Sequence, residues 1–198
     1  MSKVFTELTD ADLIKSIKGG AIGVLPTDTI YGLVAKADDK QAVARLYDLK
    51  KREKKPGTVI AANIAQLEKL GIKHRYLKAV EHFWPNPISV LIPYGAELDY
   101  LKLGLDSIAV RIPKDKELLN MLSKTGPLLT SSANHPSEKP ANTIMEAELY
   151  FANNVDFYVD GGDLSKRQPS TIIRIIDDAI EVVREGAVKI DESGKITK

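Results

Sequence analysis

The 198-residue chain contains no cysteine. That removes disulfides, thiolate nucleophiles and cysteine-based zinc sites together. No stretch approaches 18 consecutive apolar residues, so no membrane-spanning helix is expected. The first ten residues, MSKVFTELTD, hold no apolar run and no small-residue cleavage pattern, which predicts no secretory leader and a cytoplasmic protein. Charge of neither sign dominates: 28 Lys+Arg stand against 27 Asp+Glu, a net charge of +1. A protein that coats nucleic acid over its whole surface is therefore not expected, and any polyanion must meet a local patch. Aromatic residues make up only 6% of the chain and form no base-stacking motif of the RNA-recognition type. No GxxxxGK[ST] and no GxGxxG follows a strand, so neither a P-loop nor a dinucleotide fold is indicated. His74, His82 and His135 have no metal-ligand spacing and read as surface residues.

What is present is the composition of one filled core, with 43% hydrophobic and 28% charged residues. TDADLIKSIKGG reads as a helix capped by Thr9 or Asp10 and stopped at Gly19-Gly20. DKQAVARLYDLKK, IAQLEKL, RYLKAVEHFW, KELLNMLSKTG and NTIMEAELYFANN carry further helical spacing. AIGVLP, YGLVAKA, TVIAAN, PISVLIP, SIAVRIP, PLLTSS, VDFYVDGG, STIIRII and AIEVVREG read as strands. Helices and strands alternate and the end is mainly β. The pattern predicts an α/β (α+β) single domain, residues 1–198 with a core of about 9–188, around a twisted mixed sheet.

Five of the six residues from Lys50 to Lys55 are basic, directly before the abrupt Pro56-Gly57 turn. Lys50 continues the apolar face of Val43, Leu46 and Tyr47, so its stem can lie over the core while its ammonium reaches past the helix end. A solvated helix end favoured by the dipole is one reading. Arg forks beside Lys point charges also suit a polyphosphate, which is the other. Thr27, Asp28 and Thr29 follow a strand, where either a local turn or a ligand site fits. PLLTSSAN delivers Thr130, Ser131, Ser132 and Asn134 after a buried strand, hydroxyls that need partners if buried. His135 follows directly, but no His–Asp pairing marks a serine nucleophile, so the residues read as binding groups rather than as an acylation site. Arg111 alternates with Ile108 and Val110, sharing a strand face with Ala109 and Pro113; a structural ion pair and a carboxylate clamp are both compatible with it.

Six motifs, PTDTIYGL, the Lys-x-Arg of KKR, SIAVRIP, SSAN, STII and VVREGA, occur in the order found in YrdC-domain proteins. The chain resembles that family, the threonylcarbamoyl-AMP synthases, over about residues 15–188. The resemblance implies an open sheet with a concave basic face. It implies an enzyme joining ATP, bicarbonate and L-threonine into threonylcarbamoyl-adenylate and pyrophosphate. Partner proteins that transfer the threonylcarbamoyl group would follow, with tRNA as a further partner, no membrane, and magnesium arriving with ATP. Thr29, Arg111, Thr130 and Ser170 would bind threonine, Arg111 at the carboxylate. Lys50, Arg52, Lys55, Ser107, Ser132, Asn134 and Arg184 would hold ATP, with Lys50 and Arg52 acting in catalysis as the triphosphate clamp. Metal ligands are not marked by any motif, with Asp28 the one carboxylate considered. The chain departs from the family's usual pattern at Glu53 (often Pro), at Ile60-Ala61 (often His) and at HPSEKP after SSAN (often Ser-Gly). Those departures keep open a relative with altered carbamoyl-adenylate chemistry; a non-catalytic RNA-binding module is the remaining alternative.

Overall fold

The computed structural model describes residues 1–51, 56–177, 179–191 and 194–197. Arg52 and Lys55 lie outside the described residues. In chain order the elements are β1 (Lys3–Phe5), α1 (Ala11–Lys18), β2 (Gly23–Pro26), β3 (Tyr31–Lys36), α2 (Lys40–Lys50) and β4 (Thr58–Ile60). Then come α3 (Ile64–Leu70), α4 (His74–Val80), β5 (Ile88–Pro93), α5 (Asp99–Lys102), β6 (Ser107–Arg111) and α6 (Lys116–Thr125). The chain closes with β7 (Leu128–Ser132), α7 (Ile144–Phe151), β8 (Phe157–Val159), β9 (Thr171–Ile176), β10 (Ala179–Arg184) and a small hairpin of β11 (Lys189–Ile190) and β12 (Ile196–Thr197).

The helix starts are chemically explicit. Asp10 caps α1 by accepting from the backbone N–H of Asp12 and Leu13 at 2.8 and 3.1 Å. Asp39, Asn63, Asp115 and Thr143 cap α2, α3, α6 and α7 in the same way. Helices expected to run through Trp84 and Asn154 end earlier, α4 at Val80 and α7 at Phe151, each continuing as one 3₁₀ turn. At α7 the stop is Ala152, which takes a left-handed φ of 42°.

Ten strands form one mixed sheet in the order β1-β8-β2-β3-β7-β4-β6-β5-β9-β10. The pairing is antiparallel at the centre, from β2 through β3 and β7 to β4, with β4 and β6 parallel beside them. Side chains alternate between the two faces, and the buried residues divide accordingly. Val24, Leu33, Leu129, Val59, Val110, Val90 and Ile173 face one way, into a large core with residues of α2, α3, α4 and α7. Leu25, Val34, Leu128 and Ile60 face the other way, under Leu13 and Ile17 of α1 and Leu118, Met121 and Leu122 of α6. Helices α1 and α6 cover only part of this second face. The rest of it is the floor of a cavity. Among the described residues no helix is long and apolar enough to cross a membrane.

Candidate functional site

The cavity has a volume of about 360 Å³. The register of the sheet explains its lining. Gly32 lies opposite Ser132, Thr58 opposite Thr130 and beside Ala109, and Leu91 opposite Ala109. Ser89 lies beside Ile172, which pairs with Arg184. Residues paired across strands share a face, so these strands present hydroxyls, two arginines and a small apolar floor to one space. Of the residues singled out in the sequence, Thr29, Ser107, Arg111, Thr130, Ser132, Ser170 and Arg184 all line the cavity.

Arg111 ends β6 in the row of the sheet occupied by the apolar Ile60, its register partner. It is only 3% exposed and meets the Asp28 carboxylate at 3.0 Å, itself 5% exposed. Asp28 also accepts from the Lys114 N–H at 3.3 Å, which fixes the turn after β2 against β6. Burial pushes the Arg111 pKa below its ordinary value, and the Asp28 charge pushes it back up. The Arg111–Asp28 contact is not aligned as a hydrogen bond, and Arg111 Nε and Asp28 Oδ1 are both buried without a hydrogen-bond partner. A guanidinium held in place by charge with a donor left open is suited to accept a carboxylate. The ion-pair reading of Arg111 is thus present, and the same side chain lines the cavity.

The turn Thr27–Ile30 is ordered by its own hydroxyls. Thr27 Oγ1 donates to the Ile30 carbonyl at 2.7 Å, accepts from the Thr29 N–H at 3.1 Å, and lies 2.9 Å from Thr29 Oγ1. The local-turn reading and the lining role coexist here too. At the opposite side, the Arg184 guanidinium donates to the Ser170 carbonyl at 2.7 Å and to Ser170 Oγ at 3.1 Å. Ser170 Oγ also lies 3.0 Å from Ser89 Oγ. Gly186 makes this clamp possible, because a Cβ there would stand 2.3 Å from the Pro169 carbonyl oxygen.

Lys50 and Asn134 are not among the described residues that line the cavity. Lys50 is 1% exposed, packed with the apolar face of α2 as its spacing predicts. Its ammonium donates to the Ser132 carbonyl at 2.7 Å, to Asn134 Oδ1 at 2.9 Å and to the Asn134 carbonyl. Asn134 is occupied on both ends: Oδ1 also accepts from Ser132 Oγ at 2.6 Å, and Nδ2 donates to the His135 and Glu138 carbonyls. The lysine therefore ties α2 to the turn after β7, which carries Ser132 to the cavity. The lining residues that sequence reasoning did not single out include Thr58, Leu91 and Ile172. Strand alternation could have found Thr58, two residues before Ile60 and opposite Thr130.

Among the described residues no group of three His, Asp or Glu side chains converges as a metal site. The Asp28 carboxylate is engaged by Arg111 and by the Lys114 N–H. This donor set does not fit a protein-held magnesium ion.

The fold and the site together define an α/β domain with a hydroxyl- and arginine-lined cavity on a half-covered sheet face. The chain matches the Sua5/YciO/YrdC family model, described as telomere recombination, over residues 15–186, and it belongs to that family. A putative threonylcarbamoyl-AMP synthase of Methanocaldococcus jannaschii is 32% identical over 182 residues, 91% of this chain and 86% of the relative. A threonylcarbamoyl-AMP synthase of Pseudomonas aeruginosa is 32% identical over 160 residues, 79% of this chain and 86% of the relative. Among solved structures, P. abyssi Sua5 complexed with L-threonine superposes with a TM-score of 0.82 at 25% identity. That similarity covers 95% of this chain, which spans 58% of the Sua5 chain. E. coli YciO shares the fold, with a TM-score of 0.78 at 23% identity over 94% of this chain and 96% of that one.

Proposed function

We propose that the protein is an L-threonylcarbamoyladenylate synthase, a nucleotidyltransferase that converts ATP, bicarbonate and L-threonine into threonylcarbamoyl-AMP and pyrophosphate. The observation that carries the reading is Arg111: a buried, charge-held guanidinium with an open Nε, in a cavity that also gathers Thr29, Thr130 and Ser170 from three other segments. Such a set matches an amino acid, with the arginine at the carboxylate and the hydroxyls at the ammonium and the side-chain hydroxyl. The names of the related synthases and the threonine complex of the Sua5 relative support the same substrate.

The chemistry needs no protein nucleophile. A carbamate oxygen attacks the α-phosphorus of ATP, the new P–O bond forms, and the bond to pyrophosphate breaks. The protein contributes alignment and neutralisation of charge. Ser107, Ser132 and Arg184 are assigned to the nucleotide, with Arg52 and Lys55 at the triphosphate. Asn134 and Lys50 act through Ser132 in this reading, since their polar atoms already hold the turn. Magnesium enters as the counter-ion of ATP. The product is handed on to proteins that transfer the threonylcarbamoyl group to tRNA. The test is pyrophosphate release from ATP, which is expected only when threonine and bicarbonate are both supplied. Equal release without threonine, or none with all three substrates, refutes the reading.

A further inference from the structure

The reaction above needs a place for its one-carbon unit, between the amine of the amino acid and the α-phosphorus. The floor of the cavity contains a feature suited to it. Thr58 on β4 stands directly opposite Thr130 on β7, and both line the cavity. Directly opposed residues of an antiparallel pair have Cβ atoms about 4.5–5.5 Å apart. At that separation two hydroxyls can donate to one oxygen, or to the two oxygens of one carboxyl group, at about 2.7–2.8 Å. Among the described residues neither hydroxyl has a hydrogen-bond partner. Every other lining threonine and serine except Ser107 and Ser131 has a hydrogen-bonded hydroxyl: Thr27 with Thr29, Ser132 with Asn134, and Ser170 with Ser89 and Arg184.

The surroundings keep space above this pair. Its next neighbour across the sheet is Ala109, which offers only a methyl group. Gly32 and Gly57 flank Thr130 without side chains: a Cβ on Gly32 would stand 2.4 Å from Thr130 Oγ1, and one on Gly57 2.6 Å from the Thr130 carbonyl oxygen. Position matters as much as room. Arg111, the proposed carboxylate clamp, is two residues beyond Ala109 on the same strand face. Ser132, assigned to the nucleotide, is two residues beyond Thr130, about 6.6–6.8 Å along the strand. The threonine pair thus lies between the two ends of the reaction.

We propose that Thr58 and Thr130 form the seat of the planar carboxyl group, first bicarbonate and then the carbamate made from it, with Thr130 Oγ1 accepting from the threonine amine while it donates to that group, and with Thr58 as a substrate-binding residue of this reaction. This rests on the synthase reading. Bicarbonate and the neutral amine give carbamate and water; an N–C bond forms, a C–O bond breaks, and the amine proton leaves with the hydroxide. One carbamate oxygen then attacks phosphorus while the two hydroxyls hold the other. Their donation withdraws charge from the oxygen that does not react and fixes the plane of the group, leaving the attacking oxygen directed at the nucleotide.

The test compares wild type with Thr58→Val, which keeps the branched shape and strand propensity but removes the hydroxyl, and with Thr58→Ser, which keeps the hydroxyl. Two measurements are made on each: the bicarbonate dependence of pyrophosphate release at saturating ATP and threonine, and calorimetric titration of bicarbonate into threonine-saturated protein without ATP. Thr58→Val is expected to raise the bicarbonate requirement about 10-fold or more, the scale of a hydrogen bond to a charged group. Threonine affinity should stay within about twofold, and Thr58→Ser should return to within about threefold of wild type. A wild-type bicarbonate response in Thr58→Val, or an equal loss of threonine affinity, overturns the seat. Hydroxyl-dependent bicarbonate binding in a protein that releases no pyrophosphate would instead sustain the seat and refute the synthase reading.

Discussion

Replacing Asp28 by Asn would test whether the buried ion pair holds Arg111 ready. Asn keeps the size of the side chain and an acceptor for the Lys114 N–H, but it removes the charge facing a guanidinium that is 97% buried by its 3% exposure. Breaking one side of a buried pair costs about 3–5 kcal/mol, because the remaining charge loses its compensation. For a chain of this length the unfolding entropy is about 0.4 kcal/mol/K, so the loss corresponds to about 7–12 °C in melting temperature. Joining Arg111→Met to Asp28→Asn removes both charges and should recover most of the stability, since apolar replacement of a buried pair is often neutral or better. It should not recover the amino-acid site. Thermal melts of the two single variants and the double variant, each followed by calorimetric titration with threonine, supply both readouts. If Asp28→Asn melts within about 2 °C of wild type, or the double variant is no more stable than the single ones, the pair does not hold Arg111 and the reasoning fails.

Lys50→Met retains the packing of α2 but leaves the Ser132 carbonyl and both Asn134 oxygens without their shared donor. At about 1–3 kcal/mol for a stranded buried group, the melting temperature should fall by several degrees and turnover should fall with it, whereas the exposed neighbour Lys51→Ala should leave both nearly unchanged. Alkaline pH offers a separate check on burial. Desolvation raises the pKa of Tyr94 and of Tyr158 to about 12, with hydroxyls donating to the Leu105 and Ala152 carbonyls. A raised folded pKa means the stabilisation is complete below the ordinary value of 10.0 and is lost as pH climbs from there through about 12. Burial also raises the pKa of Tyr31 and of Tyr100. Tyrosinate absorbance should therefore show these four of the seven tyrosines titrating late, Tyr94 and Tyr158 near 12, with stability declining above about pH 10; seven uniform titrations would contradict the burial of these groups.

The alternation of helices and strands was legible because most elements carry their own signal. Asp10 and Gly19-Gly20 bracket α1, and Pro26 and Pro93 end β2 and β5. Four elements carry no local signal. β1 is three residues long, largely exposed, and exists through parallel pairing with β8, more than 150 positions later. The β11–β12 hairpin has two residues a strand, and α5 is a single turn. Short elements with non-local partners take their structure from tertiary context, which local periodicity does not contain. Strand order was equally invisible, for β7 enters between β3 and β4 from far along the chain.

The site was legible where chemistry changes along a strand, and the sheet explains why it changes there. On β7, Leu128 lies under α6 while Thr130 and Ser132, on the same face, stand in the cavity. On β4, Ile60 lies under the same helices and Thr58 in the cavity. Each strand turns from apolar to hydroxyl where the helical cover ends, which is what PLLTSS records. Arg111 breaks that rule, and the break is informative. Its register partner is Ile60, so it occupies the row that packing would fill with an aliphatic residue. Alternation placed Arg111 on the face of Ala109 but gave no depth, and a partner from the turn after β2 could not be read from spacing. A charge in an apolar row costs several kcal/mol unless it is matched. Asp28 matches it while leaving Nε without a partner. Packing alone does not account for an arginine there; in the proposed function that unpartnered Nε is the donor offered to the substrate carboxylate.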